Sequence, residues 1–182
     1  MRDIVEQAIA GDEAAFARLV EASADRLYAI AVRTVRDPHT AEDVVQHALV
    51  TAWRELPRLR DPDRFEAWTY RLVIRAAIDE TRRRKRTVPM VRLDGYEGEP
   101  VPDAMEAIAG RDLMERALAR VSVEHRAILC LFGYLDLSGA EIADVLGIPY
   151  GTAVSRLHHA MRSLRAAVDA EQRAIPGREA HA

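Results

Sequence analysis

Apolar residues recur three and four positions apart along most of this chain, which is the spacing of helices with one buried face. Asp12 can cap a first helix whose apolar face runs Phe16, Leu19, Val20, Leu27, Ile30 and Ala31, ending near Asp37-Pro38. Thr40 to Asp43 reads as the opening of a capping box. The helix it opens carries Val44, Val45, Ala48, Leu49, Ala52, Trp53 and Leu56. Pro57 to Asp63 reads as a loop. A third helix from about Asp63 carries Phe65, Trp68, Leu72 and Ala76 and runs into Arg82-Arg-Arg-Lys-Arg86. Between Thr87 and Ala109 the periodicity lapses, and Pro89, Gly95, Gly98, Pro100 and Pro102 predict an extended linker. Helices resume at about Arg111. Ser122 caps one through Ile128, Leu129 and Phe132, and Ser138 caps another with Ile142, Ala143, Val145 and Leu146 inward. After the turn Gly147-Ile-Pro149, a last helix from Tyr150 turns Ala153, Leu157, Ala160, Met161 and Leu164 to one side. The expected fold is all-α: two small helical domains joined by a flexible acidic linker.

Composition adds little to that picture, and charge adds a great deal. The net charge of −3 argues against nucleic acid, but it averages over a strong asymmetry. Arg71 to Arg86 holds seven basic and two acidic residues, whereas Asp94 to Glu106 holds five acids and no base. Tyr150 to Arg165 contains three Arg and two His without an acid. Such basic blocks suit phosphate, while the acidic segment keeps the total near neutral. The single cysteine, Cys130, sits in the apolar run Ala127 to Phe132 and reads as a buried structural thiol. No apolar run approaches the ~20 residues of a membrane span, and Met1-Arg-Asp-Ile-Val-Glu has no signal-peptide pattern. A cytoplasmic protein without membrane insertion is expected.

The last two helices have the requirements of a helix-turn-helix. Ala143 is the small residue where the second helix crosses, Gly147 is free to take positive φ at the turn, and Ile148 is the apolar residue after it. The outer side of the last helix then presents Ser155, His159 and Arg162, flanked by Thr152, Arg156 and His158. These are donors without an acid among them, suited to phosphates and base edges in a major groove. A solvated hairpin in an ordinary bundle is the plainer alternative. His158 and His159 make a poor metal pair, because adjacent helix residues point about 100° apart and no Cys or acid is nearby. His39, Asp43 and His47 share a helical spacing, but His39 precedes the expected cap at Thr40 and reads as lying off the helix. No Gly-rich phosphate loop, nucleophile motif or carboxylate pair appears, so no enzyme, cofactor or metal is expected.

The string Leu137 to Ala160, above all Gly147-Ile-Pro-Tyr-Gly-Thr-Ala-Val-Ser-Arg-Leu-His158, resembles the domain of bacterial sigma factors that reads the −35 promoter element. The first half resembles the same family independently. Ala41-Glu-Asp-Val-Val-Gln46 with Ala52-Trp53 is similar to the segment that docks on the RNA polymerase clamp. Phe65-Glu-Ala-Trp68 and Ala77-Ile-Asp-Glu-Thr-Arg-Arg83 are similar to the helix that opens and reads the −10 element. Order, length and acidic linker resemble the two-domain extracytoplasmic-function (group 4) sigma factors of the sigma-70 family. The resemblance implies region 2 at 1–87, a linker at 88–109, region 4 at 110–170 and a disordered tail at 171–182.

It also implies site residues and partners. Asp43, Val44, Gln46 and His47 would bind core polymerase. Arg60, Arg64, Arg71, Arg75, Arg82 and Arg83 would hold −10 DNA; Arg71, Arg75 and Arg82 fall within about 40° on a helical wheel. Thr152, Ser155, Arg156, His158, His159 and Arg162 would meet −35 DNA. Core RNA polymerase, promoter DNA and an anti-sigma factor are the implied partners. The chain departs from the family's common residues at His47, Arg75, Val154 and His159. The competing expectation is a stand-alone helix-turn-helix regulator, which would need a dimer interface to bind paired half-sites. No heptad or apolar tail follows Leu164.

Overall fold

Local side-chain capping sets the starts of four of the helices. The computed structural model describes the backbone of residues 1–87 and 105–174 and the side chains of 1–86 and 110–174. Helix α1, Arg2–Ile9, precedes the helices expected from periodicity and buries Val5 and Ala8. Helix α2, Glu13–Val35, starts where Asp12 accepts from the Ala15 amide at 3.0 Å. It ends on Arg36, whose φ of 64° is left-handed. The very next residue opens helix α3, Pro38–Glu55. Asp37 caps it and accepts from the Thr40 amide at 3.1 Å, with Pro38 in the first turn. The expected cap, Thr40, is instead buried inside the helix, its hydroxyl donating to Asp37. His39 therefore lies on the helix, not off it. Asp–Pro wins over Thr because proline's missing N–H and fixed φ cost nothing in the first turn.

Two short 3-10 turns, Leu56–Arg58 and Pro62–Arg64, shape the loop before helix α4, Phe65–Thr87. Helix α5, Met105–Arg120, begins earlier than expected and takes in the end of the expected linker; residues 88–104 lie outside the described part. Helix α6, Val123–Gly133, is capped by Ser122, and helix α7, Gly139–Leu146, by a complete capping box of Ser138 and Glu141. Helix α8, Tyr150–Ala174, outruns the expected domain end at 170. The reason is Glu171, buried at 7 % exposure, which accepts from Arg116 at 3.2 Å and from Arg120 across on α5. The rest of the expected tail, 175–182, lies outside the described residues.

The two helical domains share one core. Leu27, Ile30 and Ala31 of α2, Val44 of α3 and Val73 of α4 belong to the same buried cluster as Ile128 and Leu131 of α6 and Ile142 and Val145 of α7. Helix α6 packs on α2 and α4, and α7 packs on α4. A smaller core under α1 gathers Val5, Leu19, Leu56 and Phe65. A third joins Ala117 and Val121 to Ala167, tying α5 to α8. No strand occurs among the described residues. Cys130 is buried, and burial pushes its thiol up to about 11, as a structural thiol requires.

Candidate nucleic-acid interface

The turn between α7 and α8 is built by the backbone. Gly147 takes φ 64° at the end of α7, and the Ile148 amide donates back to the Ala143 carbonyl at 3.0 Å. That closure needs a left-handed residue, which glycine adopts without strain. Ala143 is buried, as the crossing of the two helices demands. A second close approach was not legible beforehand. A Cβ at Gly139 would stand 3.3 Å from the side chains of both Tyr150 and Val154. Val154, 41 % exposed, thus rests partly on the start of α7.

Helix α8 turns Ala153 and Ala160 fully inward, with Leu157 and Leu164 half-buried. Met161, expected inward, is 43 % exposed. The buried stripe continues Ala160, Ala167, Glu171 instead, and Met161 stands one residue, about 100°, off it. On the far side, Ser155, Arg156, His158, His159 and Arg162 are exposed and Thr152 is half-buried. The His158 and His159 rings meet edge-on with centroids 6.2 Å apart. Neither Arg156 nor Arg162 has an ion pair or hydrogen bond among the described residues. This face is a continuous, donor-bearing helix surface free of acids.

The first domain distributes its arginines differently. Asp43, His47 and Thr51 on α3 and Arg75, Asp79 and Arg83 on α4 line one groove. Residues expected at two separate sites are therefore neighbours. Gln46 is exposed beside this groove, whereas Val44 is 2 % exposed and spends its side chain in the core. Arg84, outside the expected site set, ties two of the groove's acids to the α3 cap: it donates to Glu80 at 2.9 Å and to Asp37 at 3.4 Å and lies 3.8 Å from Asp43. Arg83 donates to both oxygens of Glu80, and these bonds hold that carboxyl below its ordinary range.

Three of the four remaining arginines of the −10 set meet the second domain. Arg71 is half-buried and donates through Nε to the Val145 carbonyl at 2.6 Å and through Nη2 to the Asp144 carbonyl. Those carbonyls end α7, where the helix dipole favours a cation. Burial lowers the Arg71 pKa, and the neighbouring charges of Arg64 and Arg75 lower it further. Arg64 pairs with the Asp144 carboxylate, and Arg82 with Glu124 at 3.1 Å. Arg60 is exposed in the loop. Trp68, half-buried, packs 6.1 Å from Phe65 and bridges two of the cores, so it is mainly a packing residue.

The second domain returns the contact. Arg126 of α6 donates to the Thr34 carbonyl at the end of α2 at 2.7 Å and to Val121 at 2.6 Å. Burial, then the nearby Arg36, lowers its pKa to about 10. Arg36 reaches the Glu115 carboxylate at 2.9 Å and its carbonyl. A signal for Arg126 existed in the sequence: it is the one cation in the apolar helix α6. Its partner carbonyl was not legible, because a carbonyl has no residue type. Among the described residues, no group of three or more His, Cys, Asp or Glu could hold a metal ion, and no helix is long and apolar enough to cross a membrane.

Comparison with known proteins covers both halves of this geometry. The family Sigma-70 region 2 matches residues 19–87, and Sigma-70, region 4 matches residues 111–164. The chain is 37 % identical over 164 residues to the ECF RNA polymerase sigma factor SigL of Mycobacterium tuberculosis, covering 88 % of this chain and 93 % of that protein. It is 27 % identical to the ECF RNA polymerase sigma factor SigW of Bacillus subtilis, covering 88 % and 92 %. Among solved structures it resembles CnrH in complex with the cytosolic domain of CnrY, with a TM-score of 0.65 at 26 % identity over 93 % of this chain and 97 % of that one. The fold is also shared with the sigma factor RpoE of Bartonella quintana, solved with the anti-sigma factor NepR, with a TM-score of 0.66 at 21 % identity over 85 % and 96 %. With both domain types present in order and a relative at this identity over nearly its whole length, the chain belongs to the extracytoplasmic-function sigma factors of the sigma-70 family.

Proposed function

We propose that this chain is an alternative sigma factor that binds core RNA polymerase and directs it to a particular set of promoters. The observation that carries this is the pairing of two cation-bearing surfaces on one chain. One is the α4 arginines with their preceding loop; the other is the outer face of α8. A regulator that reads one duplex site needs only the second. Under this reading Arg60, Arg64, Arg71, Arg75, Arg82 and Arg83 hold the melted −10 strand. Thr152, Ser155, Arg156, His158, His159 and Arg162 meet the −35 duplex. Asp43, Gln46 and His47 face the polymerase clamp, with Val44 setting their helix in place. The chain works by positioning, in the cytoplasm, without cofactor or metal. The solved complex of the sigma factor RpoE with the anti-sigma factor NepR supports an anti-sigma factor as a further partner.

The decisive experiment is in-vitro transcription with purified core polymerase on a genomic fragment library. Transcripts should start at a restricted set of sites that core polymerase alone does not use. A chain that gives no such starts, yet shifts a specific duplex tightly by itself, would be a stand-alone regulator.

A further inference from the structure

Helix α1 belongs to neither DNA surface, yet it packs on both 3-10 turns of the loop between α3 and α4. Val5 is fully buried in the small core that also holds Leu56, which opens the first turn, and Phe65, which opens α4. Ile4, Ile9 and Leu59 pack against the same core. At the start of α1, Arg2 pairs with Asp63 in the second turn and donates to Glu6 of its own helix at 2.9 Å. The loop's other acid, Asp61, is spent on its own backbone, where it accepts from the Asp63 amide at 3.1 Å. Both acids of the loop are thus engaged. Arg58 and Arg60, by contrast, are exposed and have no ion pair or hydrogen bond among the described residues. From this juxtaposition we infer that α1 is a positioning element for the −10 site: it seats the loop through Val5 and holds Asp63 through Arg2, so that Arg58 and Arg60 are presented to the melted strand at fixed places. The inference rests on the sigma-factor reading and adds Arg2, Val5 and Arg58 to the residues that act on the −10 element.

Two physical points support it. The loop's backbone closes each turn separately: the Leu59 amide donates to the Leu56 carbonyl at 2.9 Å, and the Arg64 amide to the Asp61 carbonyl at 3.1 Å. The core shared with α1 joins the two turns to each other, because Leu56, Leu59 and Phe65 all meet in it. A binding site is only as precise as the packing behind it, and a looseness of about 1 Å is enough to spoil it. The second point concerns Arg2. Both side chains of its pair with Asp63 are more than half exposed, so the pair contributes little to stability. Its effect is on geometry and charge: it holds the second turn and offsets an acid that repels a phosphate strand.

The test uses the full chain with core polymerase and a fluorescent single-stranded oligonucleotide randomised over a short central window. Sequencing the bound fraction reads base preference, and titration reads affinity. The unaltered chain should enrich a −10 sequence. Val5→Ala, at a position too buried to touch DNA, should lower strand affinity and flatten that preference. Arg2→Ala should flatten it too and weaken binding about threefold, the size an exposed pair allows. Arg2→Lys keeps the pair and should behave as the unaltered chain. Arg2 is exposed, so its variants stay folded and decide the matter should Val5→Ala unfold. Val123→Ala makes the same truncation at a buried position of α6 and should keep the full preference. None of these changes should alter binding of core polymerase or of a −35-type duplex. An unchanged preference in folded Val5→Ala or in Arg2→Ala overturns the positioning role. An equal loss in Val123→Ala overturns it as well, since the effect is then one of general stability. A loss in Arg2→Ala alone would make Arg2 a phosphate contact instead. Failure of the sigma reading looks different: the unaltered chain then enriches no sequence even with core polymerase present, and no promoter-specific transcript forms.

Discussion

On the outer face of α8, Arg156 and Arg162 have no partner among the described residues; on α4, Arg71 and Arg82 are both engaged with the neighbouring domain. The two surfaces are alike in residue type and opposite in state. What separates them is the company each helix keeps. Helix α8 lays one side on α5, α6 and α7 and leaves the other to solvent. Helix α4 is packed by α2 and α3 from within its own domain and by α6 and α7 from the other. A cationic stripe on a helix so surrounded is drawn to whatever oxygen the neighbours supply, and here they supply helix-end carbonyls and two carboxylates. The lesson is that a basic stripe marks a capacity for phosphate, while its availability is set by packing.

The comparison breaks most decisively at Arg126, the cation that returns the contact. Arg126→Met should cost about 3 kcal/mol, since it strips charge-assisted bonds from buried carbonyls. A urea melt reads this as a lowered midpoint; an unchanged midpoint would mean that Thr34 and Val121 find other donors. Gly147→Ala comes next. Its left-handed φ strains any L side chain, and the new Cβ would stand 3.2 Å from the Arg71 guanidinium carbon. A loss of about 1–2 kcal/mol in thermal unfolding is expected. A neutral result would show that the α7–α8 turn adjusts without Arg71.

The open surface is sharpened by Arg156→Ala. Binding to −35-type duplexes should weaken across all sequences alike, and the slope of log affinity against log salt should fall by about one. A loss confined to certain sequences would make Arg156 a base reader. The smallest effect concerns Cys130. With its thiol pushed up to about 11 by burial, the thiolate that reacts is suppressed, to about one part in a thousand at pH 8. Reactivity therefore rises only as pH climbs toward that value. Iodoacetamide at pH 8 should leave the folded chain unmodified and label it in urea; rapid labelling without urea would place the thiol at a surface.

Much of this was readable from residues because the interactions are local. Asp12, Ser122 and Ser138 cap helices within three residues of themselves. The Ala143-Gly147-Ile148 pattern closes a turn through its own backbone. Local rules also misled. Thr40 had the right partner three residues on, but Asp37-Pro38 stood just ahead and took the start of α3. Met161 fitted an i+8 spacing, yet the stripe on α8 steps by alternating fours and threes from Ala153 to Glu171 and leaves it outside. Helix α1 escaped notice because it is only eight residues long and buries just Val5 and Ala8.

By itself, then, the sequence determined an all-α chain with a helix-turn-helix, two basic stretches and the motifs that mark its family. Those follow from periodicity, capping and turn chemistry, which act over a few residues. The tertiary structure alone decided which arginines are free. It set Asp43 and His47 in one groove with Arg75 and Arg83. It also gave Arg71 and Arg126 their carbonyls in the opposite domain. These partners lie 74 and 92 residues away along the chain. Many of the acceptors are peptide oxygens that every residue carries, so no pattern of residue types could have pointed to them.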